Sequence, residues 1–215
     1  MSDQLVAAGV DPGLAKCGYC LLRGETLLAV GVIRTKKSDG PEEARIRAII
    51  DALREVIDLC PEEVTLLAVE TQHAQSGATL SEIRGKASRA MSVAAVRGAV
   101  IEVAYSLGIR VCEVSPQEGK RALTGSGKAD KQQMMAMALA RFGEKLASDA
   151  ADACGIALAG MQVVEGRTPP RKAKMTDSSN ILSSDFTGGM KRAPRPEATA
   201  GLPDHVKAAM QRGQK

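Results

Sequence analysis

Aromatic residues are nearly absent from this chain: 2% of 215 positions, with no Trp. A core built on ring stacking is therefore excluded, and Ala, Val, Ile, Leu and Met must supply the packing. No apolar run approaches the roughly 18 residues of a membrane span. The start, "MSDQLVAAGVD", lacks the basic and apolar regions of a signal peptide, so a cytoplasmic protein is expected. Histidine is scarce too, with only His73 and His205. That scarcity weakens zinc, because Cys17 and Cys20 spell C-x-x-C with no second pair to complete a ligand set. The segment "CGYCLLR" reads as a strand, which sends residues an odd number apart to opposite faces. The five cysteines are expected to be reduced and mostly buried. No internal repeat is present.

Charge is plentiful but uneven. The net +4 arises from Glu165 onward, where 10 Lys/Arg face 5 Asp/Glu, leaving 19 basic and 20 acidic residues in the preceding part. Two units follow: a nearly neutral body, residues 1–164, and a basic tail, residues 165–215. The tail is rich in Pro, Gly and Ser and is expected to be disordered, since it cannot bury enough apolar surface to offset its ordering entropy. Its charge also suits an electrostatic arm for nucleic acid.

Within the body, "LVAAGV" is an apolar strand stopped by Asp-Pro-Gly, a turn signal. "GYCLLRG" and "TLLAVGVIRTK" follow as a hairpin or meander. "PEEARIRAIIDALREVIDLC" places Ile46, Ile49, Leu53, Val56 and Ile57 at helical spacing behind Pro41. "VTLLAVE" reads as a buried strand, Thr79 to Leu107 as a long helix, and "IRVCEVSP" as a strand closed by Pro116. "KADKQQMMAMALARFG" is a helix whose Met and Leu residues are expected to be core. A last helix opens near Asp149, with Ser148 as its expected cap. The order gives an α/β fold with a mixed sheet, an antiparallel edge followed by crossover units.

Carboxylates recur at the ends of apolar segments. Asp11 ends the first strand, Glu70 ends the fourth, and Asp149 and Asp152 stand at the mouth of an apolar helix. Each has an ordinary explanation, as turn former or helix-start acid, and Glu70 has the weakest one because Glu is depleted in strands. Adjacent first and fourth strands would set Asp11 beside Glu70, and the i, i+3 spacing puts Asp149 and Asp152 on one helix face. Hard oxygen ligands without His or Cys favour Mg²⁺ or Mn²⁺ over zinc. A pair of such ions about 4 Å apart is the device of phosphodiester hydrolysis.

"GVDPGLAKCGYCLL", "LLAVET", "RGAVIEVAYSLGIRVCEVSPQEGKRALTGSGKADKQQM" and "SDAADACGIALAG", in order from Val6 to Ala159, closely resemble the RuvC-type Holliday junction resolvases. The resemblance implies a ribonuclease H-like fold with a mixed five-stranded sheet flanked by helices. It also implies a homodimeric, Mg²⁺-dependent endonuclease that nicks four-way DNA junctions symmetrically in recombination and repair. By the resemblance, Asp11, Glu70, Asp149 and Asp152 are the catalytic acids and hold two Mg²⁺ ions, with Mn²⁺ as a substitute. Lys120 and Lys131 match lysines set against the DNA backbone near the cut. His73 stands where the family usually has Phe, in a loop near the junction centre. The stretch from Gln75 to Arg97 is longer than the family pattern and adds Arg84, Lys86 and Arg89 as further candidate DNA contacts, or as a solvated helix face. These departures mark a divergent member, a phage origin being one explanation of them, and a branch-migration motor is a further implied partner. Three rivals remain: the same chemistry on flaps, forks or structured RNA, a non-catalytic junction-binding module, and a nucleotide-binding protein of the actin–sugar kinase class. "EGKRALTGSGKADK" is no phosphate-binding P-loop, because Ala122 and Ala129 occupy its first glycine and its Ser/Thr position.

Overall fold

The computed structural model describes residues 5–71, 80–167 and 175–176, with the side chains of 80–86 and 175–176 outside that description. Three antiparallel strands open the chain: β1 (Val6–Asp11), β2 (Lys16–Arg23) and β3 (Thr26–Arg34). A short 3₁₀ turn at Lys37–Asp39 leads to α1 (Glu42–Asp58). Then come β4 (Leu66–Glu70), α2 (Leu80–Ser106), β5 (Arg110–Val114), α3 (Pro116–Thr124), α4 (Lys131–Phe142) and α5 (Ser148–Val164). The sheet order is β3-β2-β1-β4-β5, with β4 parallel to both β1 and β5. To the expected five strands the structure adds β6, the two residues Met175–Thr176, antiparallel on the β5 edge. The disorder expected of the tail falls outside the described residues, these two excepted.

Two apolar layers sandwich the sheet. On one face Val10, Tyr19, Leu21 and Val69 pack against Ile49, Leu53 and Ile57 of α1 and Val96, Val100 and Val103 of α2. On the other face Ala7, Cys20, Leu22 and Ala68 meet α5, with α3 and α4 outside it. Cys17 and Cys20 do fall on opposite faces, and all five cysteines are buried free thiols. Burial pushes the Cys17 thiol up to about 12, which keeps it protonated. Cys20 and Cys154 touch across the sheet–helix boundary, 3.1 Å between sulfurs.

Two expectations need correction. Pro116 closes β5 but also opens α3, an element not expected between β5 and α4. Its signal was present: Ser115 and Glu118 form a reciprocal capping box around Pro116, and Gly125 ends the helix at φ 80°. Nor are the Met and Leu residues of α4 mainly core. Only Met134 and Ala138 are buried, while Met137 and Leu139 are 37% and 47% exposed, because α4 lies outermost and touches α3 and α5 along one narrow face.

α5 sits unusually close to the sheet. A Cβ on Gly9 would come within 2.2 Å of the Ala153 carbonyl oxygen, and one on Gly18 within 2.1 Å of that of Asp149. The helix answers with Ala150, Ala151, Ala153, Ala157 and Ala159, all buried. Gly9→Ala is therefore expected to destabilise the fold by about 1–3 kcal/mol through overpacking, read as a lower urea midpoint at unchanged slope. A midpoint equal to that of the unsubstituted chain would mean the helix can lift away without cost.

Candidate active site

The register of β1 and β4 aligns Val10 with Val69, so Asp11 and Glu70 emerge side by side at the same end of the sheet. The N-terminus of α5 reaches that end as well, since Gly18, the partner of Asp11 across β1–β2, lies directly under the Asp149 backbone. Asp149 and Asp152 occupy the first turns of α5. The cap expected at Ser148 is displaced by one position. Ala147 is the N-cap, Ser148 is the first helical residue, and its hydroxyl makes no cap bond.

All four acids are half-buried, and their charges oppose one another. Asp11 is pushed up to about 7, by burial first and then by Glu70, Asp152 and Asp149, with Lys131 acting against the shift. Glu70 also rises to about 7, again by burial first and then by Asp152, with Lys120 opposing. Asp152 is raised by burial and by Asp149, and lowered by both lysines. The electrostatics thus bring together the four acids and the two lysines that the sequence nominated. Lys120 is half-buried on α3 and Lys131 is exposed at the first position of α4. Arg141, in the last turn of α4, donates to the Ala122 carbonyl of α3 at 2.9 Å and to Glu25 in the β2–β3 turn at 2.9 Å, tying α4 to α3 and to the other end of the sheet.

Of the other nominated residues, only Arg89 has a described side chain. His73 lies outside the described residues. Arg84 and Lys86 belong to α2, but their side chains lie outside the description, and Arg89 is exposed on the same helix.

Sequence reasoning missed the support of the Asp-Pro-Gly turn. Buried Thr35 donates its hydroxyl to the Leu14 carbonyl and accepts from Arg45 Nε at 3.0 Å, while a second Arg45 nitrogen reaches the same carbonyl at 3.4 Å. The Thr35 amide holds the Ala15 carbonyl at 3.1 Å. The residues after Asp11 are therefore tied to β3 and α1. No short-range pattern joins positions 14, 35 and 45, so nothing in the sequence announced the clamp.

Among the described residues, no group of three His, Cys, Asp or Glu side chains forms a ready-made metal cage. The donor set is nonetheless one of hard oxygens. Beside the acids, the buried hydroxyls of Thr71 and Ser148 lack any hydrogen-bond partner, an arrangement that buried polar atoms rarely keep.

The shifts carry a sign for stability. With carboxyl pKa values raised by folding, the native state binds more protons than the unfolded chain between about pH 4 and pH 7. Stability therefore falls as pH rises through that window, and the cost is fully present above it. In metal-free buffer at pH 8, Asp11→Asn is expected to stabilise the chain by about 1–3 kcal/mol, after allowance for solvent screening. At pH 4 the gain should vanish. A gain of equal size at both pH values in thermal melts would remove charge as its origin.

The model of the family described as crossover junction endodeoxyribonuclease RuvC matches residues 7–160. The crossover junction endodeoxyribonuclease RuvC of Rhodococcus jostii is 38% identical over 161 residues, 70% of this chain and 77% of that relative. Its counterpart from Pelodictyon phaeoclathratiforme is 35% identical over 193 residues, 86% of this chain and 94% of the relative. Among solved structures, Thermus thermophilus RuvC superposes with a TM-score of 0.61 at 28% identity, covering 80% of this chain and all of that one. The same protein in complex with a Holliday junction substrate gives 0.63 at 27% identity, over 80% and 99% of the two chains. With the family pattern matched from β1 through β5 and most of α5, and four acids gathered where those elements meet, the chain belongs to the RuvC family of crossover junction endodeoxyribonucleases.

Proposed function

We propose that this protein is a structure-specific endodeoxyribonuclease that resolves four-way DNA junctions by metal-dependent hydrolysis of phosphodiester bonds. The observation that carries the reading is the gathering of Asp11, Glu70, Asp149 and Asp152 at one end of the sheet, with Lys120 and Lys131 within electrostatic reach. Carboxylates that repel one another in a half-buried setting gain most from a divalent cation, and oxygen-only donors suit Mg²⁺, with Mn²⁺ as a substitute. We assign the four acids as the ligands of two ions. Bound there, the ions would supply charge stabilisation to the attacking and leaving oxygens of the reaction.

The protein's own groups orient and neutralise. Lys120, half-buried beside Glu70 and Asp152, is placed to hold a phosphate oxygen close to the acids. Lys131, exposed beside Asp11 and Asp152, extends that contact toward the incoming backbone. Few aromatics are available for base stacking, so recognition rests on phosphates and junction shape. A four-way junction offers two equivalent strands, and a homodimer with twofold symmetry meets both. The nuclease unit is residues 1–164, and the basic segment 165–215 acts as an auxiliary arm.

End-labelled four-way junction should be nicked at paired, symmetric positions with Mg²⁺ and left intact in EDTA, while matched linear duplex is spared. Asp149→Asn and Glu70→Gln should each lower cleavage about 100-fold or more. Junction affinity should hold or tighten, since negative charge is lost from the DNA-facing end. Cleavage that persists in an Asp11→Asn/Asp149→Asn double variant, or that falls equally on linear duplex, would sink the assignment. Ending the chain at Gly166 is expected to flatten the salt dependence of junction binding, and an unchanged slope would remove the arm.

A further inference from the structure

Lys16 and Arg34 are cross-strand partners at the ends of β2 and β3, and both are exposed. The Thr35 amide bonds the Ala15 carbonyl just beyond them. Ladder alternation then makes Lys16–Arg34 a narrow, non-hydrogen-bonded pair, in which side chains approach most closely. Like charges directly opposite each other destabilise a strand pair. No acidic partner relieves them among the described residues. Asp39, the acid nearest along the chain, instead accepts the Lys36 backbone amide at 2.7 Å. Glu42 and Glu43 open α1, which packs on the other sheet face.

Position gives this uncompensated pair a meaning. Cys17 and Ile33 point into the α1–α2 layer, so their neighbours Lys16 and Arg34 stand on the α5 face. Lys16 lies two residues, roughly 7 Å, beyond Gly18 on that face, and Gly18 lies directly beneath the Asp149 backbone. The sheet order sets β2 and β3 on one side of the acid-bearing β1 and β4. Lys120 follows β5, which lies on the other side. The acids thus have cations on both flanks, and the flank formed by Lys16 and Arg34 has no assigned role.

We infer that Lys16 and Arg34 together hold backbone phosphates of a DNA arm leaving the acidic site across the β2–β3 end of the sheet. This rests on the junction-nuclease reading and deepens it. The DNA would track from Lys120 and Lys131, past the acids, onto this pair. A phosphate between the two cations turns their mutual repulsion into attraction, which is why the pair is tolerated at a strand end.

The test uses the full chain with Lys16→Ala/Arg34→Ala, and Arg47→Ala on exposed α1 as the control for a lost surface charge. Junction binding is measured in EDTA across a salt series. At about 0.1 M salt the double variant is expected to raise Kd roughly 5–50-fold, and to reduce the slope of log K against log salt by about 1–2, the share of one or two phosphate contacts. Its melting temperature should hold or rise, and Lys16→Arg/Arg34→Lys should keep the original slope. Affinity and slope equal to those of Arg47→Ala would overturn the inference. If the unsubstituted chain prefers a junction over duplex and nicks it, such equality overturns this inference alone. If it shows no preference for the junction, the reading beneath fails and this inference falls with it.

Discussion

The close seating of α5 against the sheet sets where Asp149 and Asp152 stand relative to Asp11 and Glu70. Asp11 and Glu70 are fixed by the β1–β4 register, but Asp149 and Asp152 ride on a helix whose height above the sheet is adjustable in principle. The missing side chains at Gly9 and Gly18, and the small ones along α5, remove that freedom. Gly155 repeats the device on the far side of the helix, where a Cβ on it would meet the Gly119 carbonyl at 2.6 Å. α5 is therefore held between the sheet and α3, and α3 carries Lys120 at a set distance from the acids. Backbone proximity, more than any polar contact, builds the site.

That placement has an electrostatic cost. Burial and mutual repulsion together drive Asp11 and Glu70 to values near neutrality, and the nearby lysines only partly offset the rise. Sites that must bind cations keep such tension because the bound ion relieves it, while the empty site subtracts from fold stability. The Thr35–Arg45 clamp stiffens the turn after Asp11 from the opposite face, so the strain falls on protonation equilibria in place of backbone geometry. The Arg97–Glu113 ion pair, 2.6 Å, similarly ties α2 to β5 beside the glutamate-bearing strand.

Much of this was legible along the chain. The strand ends at Asp11 and Glu70, the α1 stripe and the long α2 all follow from local periodicity, which the structure keeps. The side-by-side placement of Asp11 and Glu70 was legible only on the condition that the first and fourth strands adjoin, and the sheet order meets that condition. What escaped was non-local or outweighed. Ser148 is a good cap by type, yet Ala147 takes the position because α5 is packed into place from the sheet side. The α4 stripe of Met and Leu has a core-like composition, but among the described residues only one narrow face of this helix is covered, by α3 and α5. The α3 capping box was plain in the sequence and was outweighed by the basic residues around it. Lys16 and Arg34 lie far apart in sequence, and only strand register makes them neighbours.

The glycine and alanine contacts under α5 also bear on how this protein can change over generations. Positions 9, 18 and 155 carry no reactive group, yet each is constrained in volume by a facing backbone. Drift at these sites is therefore blocked in one direction: a side chain can be gained only if α5, with its two aspartates, moves away from the β1, β2 or α3 backbone that it packs on. Selection on where the aspartates stand is thereby transmitted to residues that carry no chemistry of their own. Lineages that keep this packing of helix on sheet should keep smallness at these three positions, whether or not they keep cleavage.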